Sequence, residues 1–407
     1  MRTDRSGQLL VAAGGLGAFV MLGWTGLLVP SLIRDIERDL LVTDADLGTA
    51  FLLNAITFTA GCLLAGWAVA KVGRRPVLIG GVATVGVGLI GMLAGSWPAF
   101  LASTALRGLG SGIIEVGVQG LFLYAFVGPM QGRAVNLLHF CYGLGAALAP
   151  IAIAGTIGAG IPWPALAAAS AVPWLIAGGI LLVAPMDARP RAGALPPARL
   201  RPSLTLVAAA VAIGLYVASE VGVSSWLVRF LAEADLGLAA GALTLFWAAL
   251  AVSRLLVARF GVAWPPETLA IGGFMLAAAA TVVAVAAPTI ELSIAMFTVV
   301  GFAFGPIYAG IILLGGRIPG RKDAVTSILA TAGVAGSTVY PPLMGIISVG
   351  PGLGVAMAGT AVLSVAGAVL VVVAARSFGR LDPGTSTMAP PRRPTPADAG
   401  IRGGPPA

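Results

Sequence analysis

"MDARPRAGALPPARLRPS", residues 186–203, is the only long polar interruption in a chain that is otherwise apolar almost to its tail. The segment carries four arginines and four prolines and has no apolar period, so it cannot cross a membrane. On its N-terminal side, apolar stretches of about 20 residues, the length needed to span the hydrocarbon core, fall near 9–33, 45–70, 76–95, 98–127, 134–160 and 163–184. On its C-terminal side they fall near 203–231, 239–258, 267–287, 289–315, 324–348 and 352–375. The expected fold is an all-α polytopic membrane protein with twelve transmembrane helices in two six-helix halves. Residues 1–184 form the N-terminal bundle, 185–203 a linker, 204–376 the C-terminal bundle and 377–407 a Pro-, Gly- and Thr-rich disordered tail.

Composition agrees with that outline. The chain is 58% hydrophobic and 10% charged, against about 25% charged residues in soluble domains. Glycine occurs 57 times in 407 residues, about twice its usual share, as suits helices whose backbones approach closely in lipid. The net charge of +8 does not point to nucleic acid, because the basic residues sit in short loops and the tail. Cys62 and Cys141 lie inside apolar stretches, which argues against a disulfide framework. His139 is the only histidine, so His-cluster metal chemistry is excluded and no cofactor is expected. Several helix starts are marked locally: Thr43 or Asp44 can cap the second helix, and Pro76 and Pro98 suit first-turn positions. The first stretch is too long for a signal-peptide core and is followed by no small-residue cleavage site, so it reads as a spanning helix.

Twelve spans put both chain ends on the side of the linker. That side collects 20 of the 24 lysines and arginines, Arg254 and Arg259 among them. The positive-inside rule then makes both termini cytoplasmic, in a plasma (inner) membrane.

Acids near helix midpoints are the rarest feature. Glu115 sits in "GLGSGIIEVGVQG" (108–120) and Glu220 in "YVASEVGVSSWLVRFL" (216–231). An ionised side chain at that depth costs roughly 3 kcal/mol or more, so each must be offset by a partner or a use. Arg107, Ser111, Glu115 and Gln119 follow at steps of four and form one slowly winding polar seam that must face protein or water. Arg107 and Glu115 lie about 12 Å apart along the axis, too far to pair directly. Burial favours a protonated carboxyl, which suits Glu115 to exchange a proton or bind cargo; a neutral carboxyl holding two helices together is the alternative. The same two readings apply to Glu220, with Trp226 offering a ring wall. Asn136, His139 and Tyr142 share a face in the fifth helix, and His139 suits a proton relay or a satisfied packing contact. Trp24, Asn54, Phe246 and Tyr308 are read as packing residues that can also line a cavity. No Walker-type loop or metal-ligand spacing supports an enzyme.

"GWAVAKVGRRPVLIGG" (66–81) resembles the loop between the second and third helices of the major facilitator superfamily, whose pattern is G-x-x-x-D-R-x-G-R-R. Gly66, Gly73, Arg74 and Arg75 match it, while Ala70 and Lys71 stand where the pattern has Asp and Arg. A narrower likeness is to the fucose permease-like branch of sugar:proton symporters. It rests on Glu115 with Gln119, Asn136 with His139, Glu220 with Trp226, and the pair "GFAFGPIYA" and "ATAGVAGSTVYPPLMG". Unlike some members of that branch, this chain has no acid in its first helix.

The resemblance implies a central cavity lined by the first, fourth, seventh and tenth helices, and transport by alternating access driven by a proton gradient. Three readings stay open: proton symport of a small solute such as a sugar, proton-coupled efflux of amphipathic compounds, and a membrane sensor or scaffold without turnover. The expected partners are a small-molecule substrate and membrane lipid, and a monomer is expected to suffice.

Overall fold

The computed structural model describes residues 5–126, 129–186, 203–260, 264–317 and 322–381. Most of the expected linker and the tail beyond residue 381 lie outside the described residues.

The described chain is helical throughout, with no strand among the described residues. Its helices are α1 (Arg5–Ser31), α2 (Ile33–Leu40), α3 (Asp44–Val72), α4 (Arg74–Gly91), α5 (Trp97–Ala125), α6 (Pro129–Gly158) and α7 (Trp163–Ala169). They continue with α8 (Ala171–Val183), α9 (Leu204–Phe230), α10 (Leu236–Phe260), α11 (Pro266–Val285), α12 (Ile290–Gly315), α13 (Lys322–Val349) and α14 (Leu353–Leu381). Twelve spans result, α7 and α8 together making the sixth, Trp163–Val183.

Local chemistry sets several boundaries. Thr43 caps α3: its hydroxyl accepts from the Asp46 N–H while the Asp46 carboxylate accepts from the Thr43 N–H, a reciprocal capping box. Pro98 occupies the first turn of α5, where its missing N–H costs nothing. The short helix α2 was not expected as a separate element. Pro30 in the last turn of α1 weakens the helix there, and the chain restarts with Ile33 and Ile36 buried on one face. The last helix also runs on to Leu381 rather than stopping at 376.

In the N-terminal half α1 packs on α6 and α8, and α5 lies between α3 and α4; in the C-terminal half α9 packs on α13 and α14, and α12 on α10 and α11. The halves meet along two seams, α3 with α13 and α6 with α10. Glycine permits the closest crossings. A Cβ on Gly112 of α5 would overlap the Phe58 carbonyl oxygen of α3, and one on Gly145 of α6 would overlap the Val20 carbonyl oxygen of α1. Close backbone approach maximises dispersion where lipid supplies no hydrophobic drive between helices.

Twelve crossings leave the start of α1, the α8–α9 junction and the end of α14 on one side. That side is called the terminal face below, and the other the far face.

Candidate functional site

A cavity of about 990 Å³ lies between the two halves. It reaches the terminal face, where Ala258 near the end of α10, Trp264, Pro266 and Leu269 at the start of α11, and Leu313 near the end of α12 line it. Its walls come from α1, α5, α9 and α12, as the resemblance implied, and also from α3, α6, α10 and α13.

On α5 the polar seam does face the cavity: Arg107, Ser111 and Glu115 all line it. Gln119 is not part of the wall; its amide Nε2 donates to Glu115 Oε1 at 2.5 Å and so orients the carboxyl. Arg107 does not pair with Glu115. It is 5% exposed and its Nη1 donates to the Thr25 carbonyl of α1 at 2.5 Å.

Tyr216, Glu220 and Ser224, at steps of four on α9, form the facing seam. Glu220 lies 3.7 Å from Arg254 of α10, and Arg254 also donates to the Tyr216 hydroxyl at 3.0 Å. This corrects the grouping of Arg254 with the arginines of the terminal side: six residues before the end of α10, it lies inside the bundle and lines the cavity. A signal was present, because Arg254 lies seven residues after Trp247 and both face the cavity.

Asn136, His139 and Tyr142 of α6 line the cavity together. The Tyr142 ring meets Trp247 edge-on at 6.2 Å across the α6–α10 seam, and His139 stands edge-on to Phe19 at 5.9 Å. Asn54 and Tyr308 also line it. Trp226, expected as a cavity wall, is instead fully buried. Its indole N–H donates to the Pro341 carbonyl at 2.9 Å and its ring meets Phe51, tying α9 to α13 and α3. Phe246 is buried in the core, and Trp24 donates its indole N–H to Ser170 Oγ at 3.0 Å.

The far face is sealed by charge. From α2, Arg34 donates Nε to Val228 O at 2.9 Å, Nη1 to Ala234 O at 2.8 Å and Nη2 to Leu231 O, all at the C-terminal end of α9. Helix C-termini carry partial negative charge and unpaired carbonyls, so a guanidinium there completes α9. Arg229 of α9 reaches back to Glu37 at 2.8 Å and Asp44 at 3.0 Å. Burial lowers the Arg34 pKa, with the neighbouring Arg229 adding to that effect. Burial also raises the Glu37 carboxyl, partly offset by Arg229. The partners of Arg34 and Arg229 lie about 190–200 positions away in sequence, so no local pattern reveals these contacts.

At the terminal face, Gly73 joins α3 to α4 with φ +91°, a conformation open to glycine at little cost. The Arg74 guanidinium lies 4.7 Å above the Tyr124 ring, and Arg75 donates to the Ala184 carbonyl at the end of α8 at 2.9 Å. A Cβ on Gly66 would meet nothing within 4 Å, so this position adds no close packing.

The sequence profile of the Major Facilitator Superfamily matches residues 14–322. No curated protein matches this chain. Among solved structures, a bacterial homologue of the human lysosomal transporter Spinster, inward-facing and unoccupied, superposes with a TM-score of 0.76 at 14% identity, covering 93% of this chain and 98% of its own. The same homologue in an inward-facing, occupied conformation gives 0.71 at 15% identity, over 91% of this chain and 97% of its own. A D-xylose–proton symporter gives 0.73 at 15% identity, over 89% and 96%. At these identities the structures attest the fold alone. With two six-helix halves around one cavity and the family profile spanning both, the chain belongs to the Major Facilitator Superfamily.

Proposed function

We propose that this chain is a secondary transporter that moves a small solute by proton-coupled alternating access. One observation carries the reading: Glu115 and Glu220, the two acids near helix midpoints among the described residues, line the same cavity between the halves. In a low-dielectric wall a carboxyl is held more cheaply protonated than ionised, so a proton taken from one face can be released at the other once the halves rock. The positive-inside rule makes the terminal face cytoplasmic, so the present conformation opens inward and is sealed outside by Arg34 and Arg229.

Sugar symport and amphipathic efflux differ in the walls they need. A polyol needs many hydrogen-bonding side chains, since unpaired polar groups in a dry site are costly. The cavity offers two amides, Asn54 and Asn136, among walls that include Phe51, Phe58 and Trp247. Those walls favour cargo with an apolar body over a sugar.

The test is reconstitution into vesicles holding a pH-sensitive dye, with an imposed proton gradient and solutes first selected by thermal stabilisation. Proton movement should require a bound solute and should fail in Glu115→Gln with Glu220→Gln. Proton-linked flux that survives the double variant refutes the proposal. Binding without any flux would favour a sensor or scaffold.

A further inference from the structure

We propose that the cargo is a monovalent organic anion, a carboxylate on an apolar body, whose head group docks at Arg107. The proposal rests on the transporter reading above and names its substrate class.

The cavity's charges balance only while Glu115 is ionised. Glu220 is matched by Arg254 at 3.7 Å. Arg107 has no carboxylate within ion-pair distance among the described residues, and it shares the cavity wall with Glu115 two turns away. A guanidinium keeps its charge and offers five N–H donors. One N–H of Arg107 goes to Thr25 O, and its Nε has no partner. With Glu115 protonated and His139 neutral, the cavity therefore holds one uncompensated positive charge. A buried charge left so is costly, and a carboxylate can compensate it through two parallel hydrogen bonds.

The wall around Arg107 suits such a head group. Gly108, the next residue, lies against Asn54 of α3, where an added Cβ would come 3.2 Å from the Asn54 Cα. Asn54 lines the cavity and its Oδ1 has no partner. Phe51 and Phe58, one helical turn to either side of Asn54 on α3, supply an apolar surface for the rest of the molecule. A dianion such as a phosphomonoester would exceed the single charge available and meet Glu115 and Glu220.

The arrangement also says how proton and cargo couple. An empty cavity with Glu115 ionised is neutral, and so is a loaded one with Glu115 protonated and the anion on Arg107. Intermediate occupancies carry net charge through a low-dielectric passage. Proton and anion therefore cross together.

The test uses the full-length protein in detergent and three ligands with one body: 4-phenylbutyrate, 4-phenylbutanol and 4-phenylbutylammonium. Tryptophan fluorescence and thermal shift report binding. The acid should bind about tenfold or more tightly than either analogue, the range for a charge-assisted pair. Arg107→Gln should remove that preference, while Arg107→Lys should keep part of it. Equal binding of the alcohol or the amine overturns the proposal. So does undiminished acid affinity in Arg107→Gln, or no binding by any carboxylate from acetate to decanoate. If Arg107→Gln does not fold, the wild-type ranking of the three ligands decides alone. Acid binding without proton movement in vesicles would sink the transporter reading and leave the anion site standing. Proton-linked flux of neutral solutes alone would do the reverse.

Discussion

Removing the Arg34 side chain should unlock the far face. Arg34→Ala deletes three hydrogen bonds from α2 of one half to the carbonyls of Val228, Leu231 and Ala234 in the other. Bonds from a charged donor contribute about 1.5–3 kcal/mol each, but Arg34 is only partly buried and the released carbonyls gain water. Discounting each to just under 1 kcal/mol, near the middle of the range for a neutral hydrogen bond, gives about 2–3 kcal/mol in all. A transporter that rests 99:1 with its far face closed is held there by about 2.7 kcal/mol, so this loss brings the two states close to equal population. Spin labels at Ala159→Cys and Glu291→Cys, exposed far-face positions in the two halves, would report the separation after Cys62 and Cys141 are replaced by serine. A second, longer distance should appear in Arg34→Ala. Arg38→Ala is the control, since Arg38 pairs only with Asp35 and Asp39 of its own segment. One unchanged short distance in a folded Arg34→Ala protein, or an equal change in the control, would refute the gate.

Three further outcomes are expected. Acidification should favour the closed far face: burial raises the Glu37 pKa when the gate is shut, so closure gains most below the ordinary carboxylate range and loses that gain as pH rises through the raised value. The same label pair followed between about pH 4 and 7 should show this drift, and Glu37→Gln should flatten it. Gly112→Ala should lower the melting temperature in detergent, costing about 1–3 kcal/mol as the α3–α5 crossing is forced apart. Gly120→Ala on the same helix meets nothing within 4 Å and should be neutral or stabilising by about 0.5–1 kcal/mol; matching melts for the two would contradict the close crossing. Glu220→Gln and Arg254→Gln should be non-additive in melting experiments, with a coupling of about 0.5–3 kcal/mol, because either alone strands a charge; strict additivity would mean that the pair does not interact.

The number of spans, their division around residues 186–203 and the inward turn of the α5 seam were legible in the sequence because each depends on short-range physics. Hydrocarbon thickness sets the length of an apolar run, the helical period sets which residues share a face, and desolvation makes a mid-membrane acid conspicuous. The family pattern in 66–81 added the superfamily. What sequence could not supply depends on contacts between distant segments. Arg254, inside the apolar stretch 239–258, was grouped with the cations of the terminal side until packing of α10 on α9 brought it to Glu220. Trp226 looked like a cavity wall until the α9–α13 packing enclosed it. The far-face seal joins residues almost 200 positions apart, Arg34 with Val228 to Ala234. Hydropathy and period act along the chain and determine what each helix is. Only packing of one half against the other decides which side chains meet, and so which charges are matched and which is left open for a ligand.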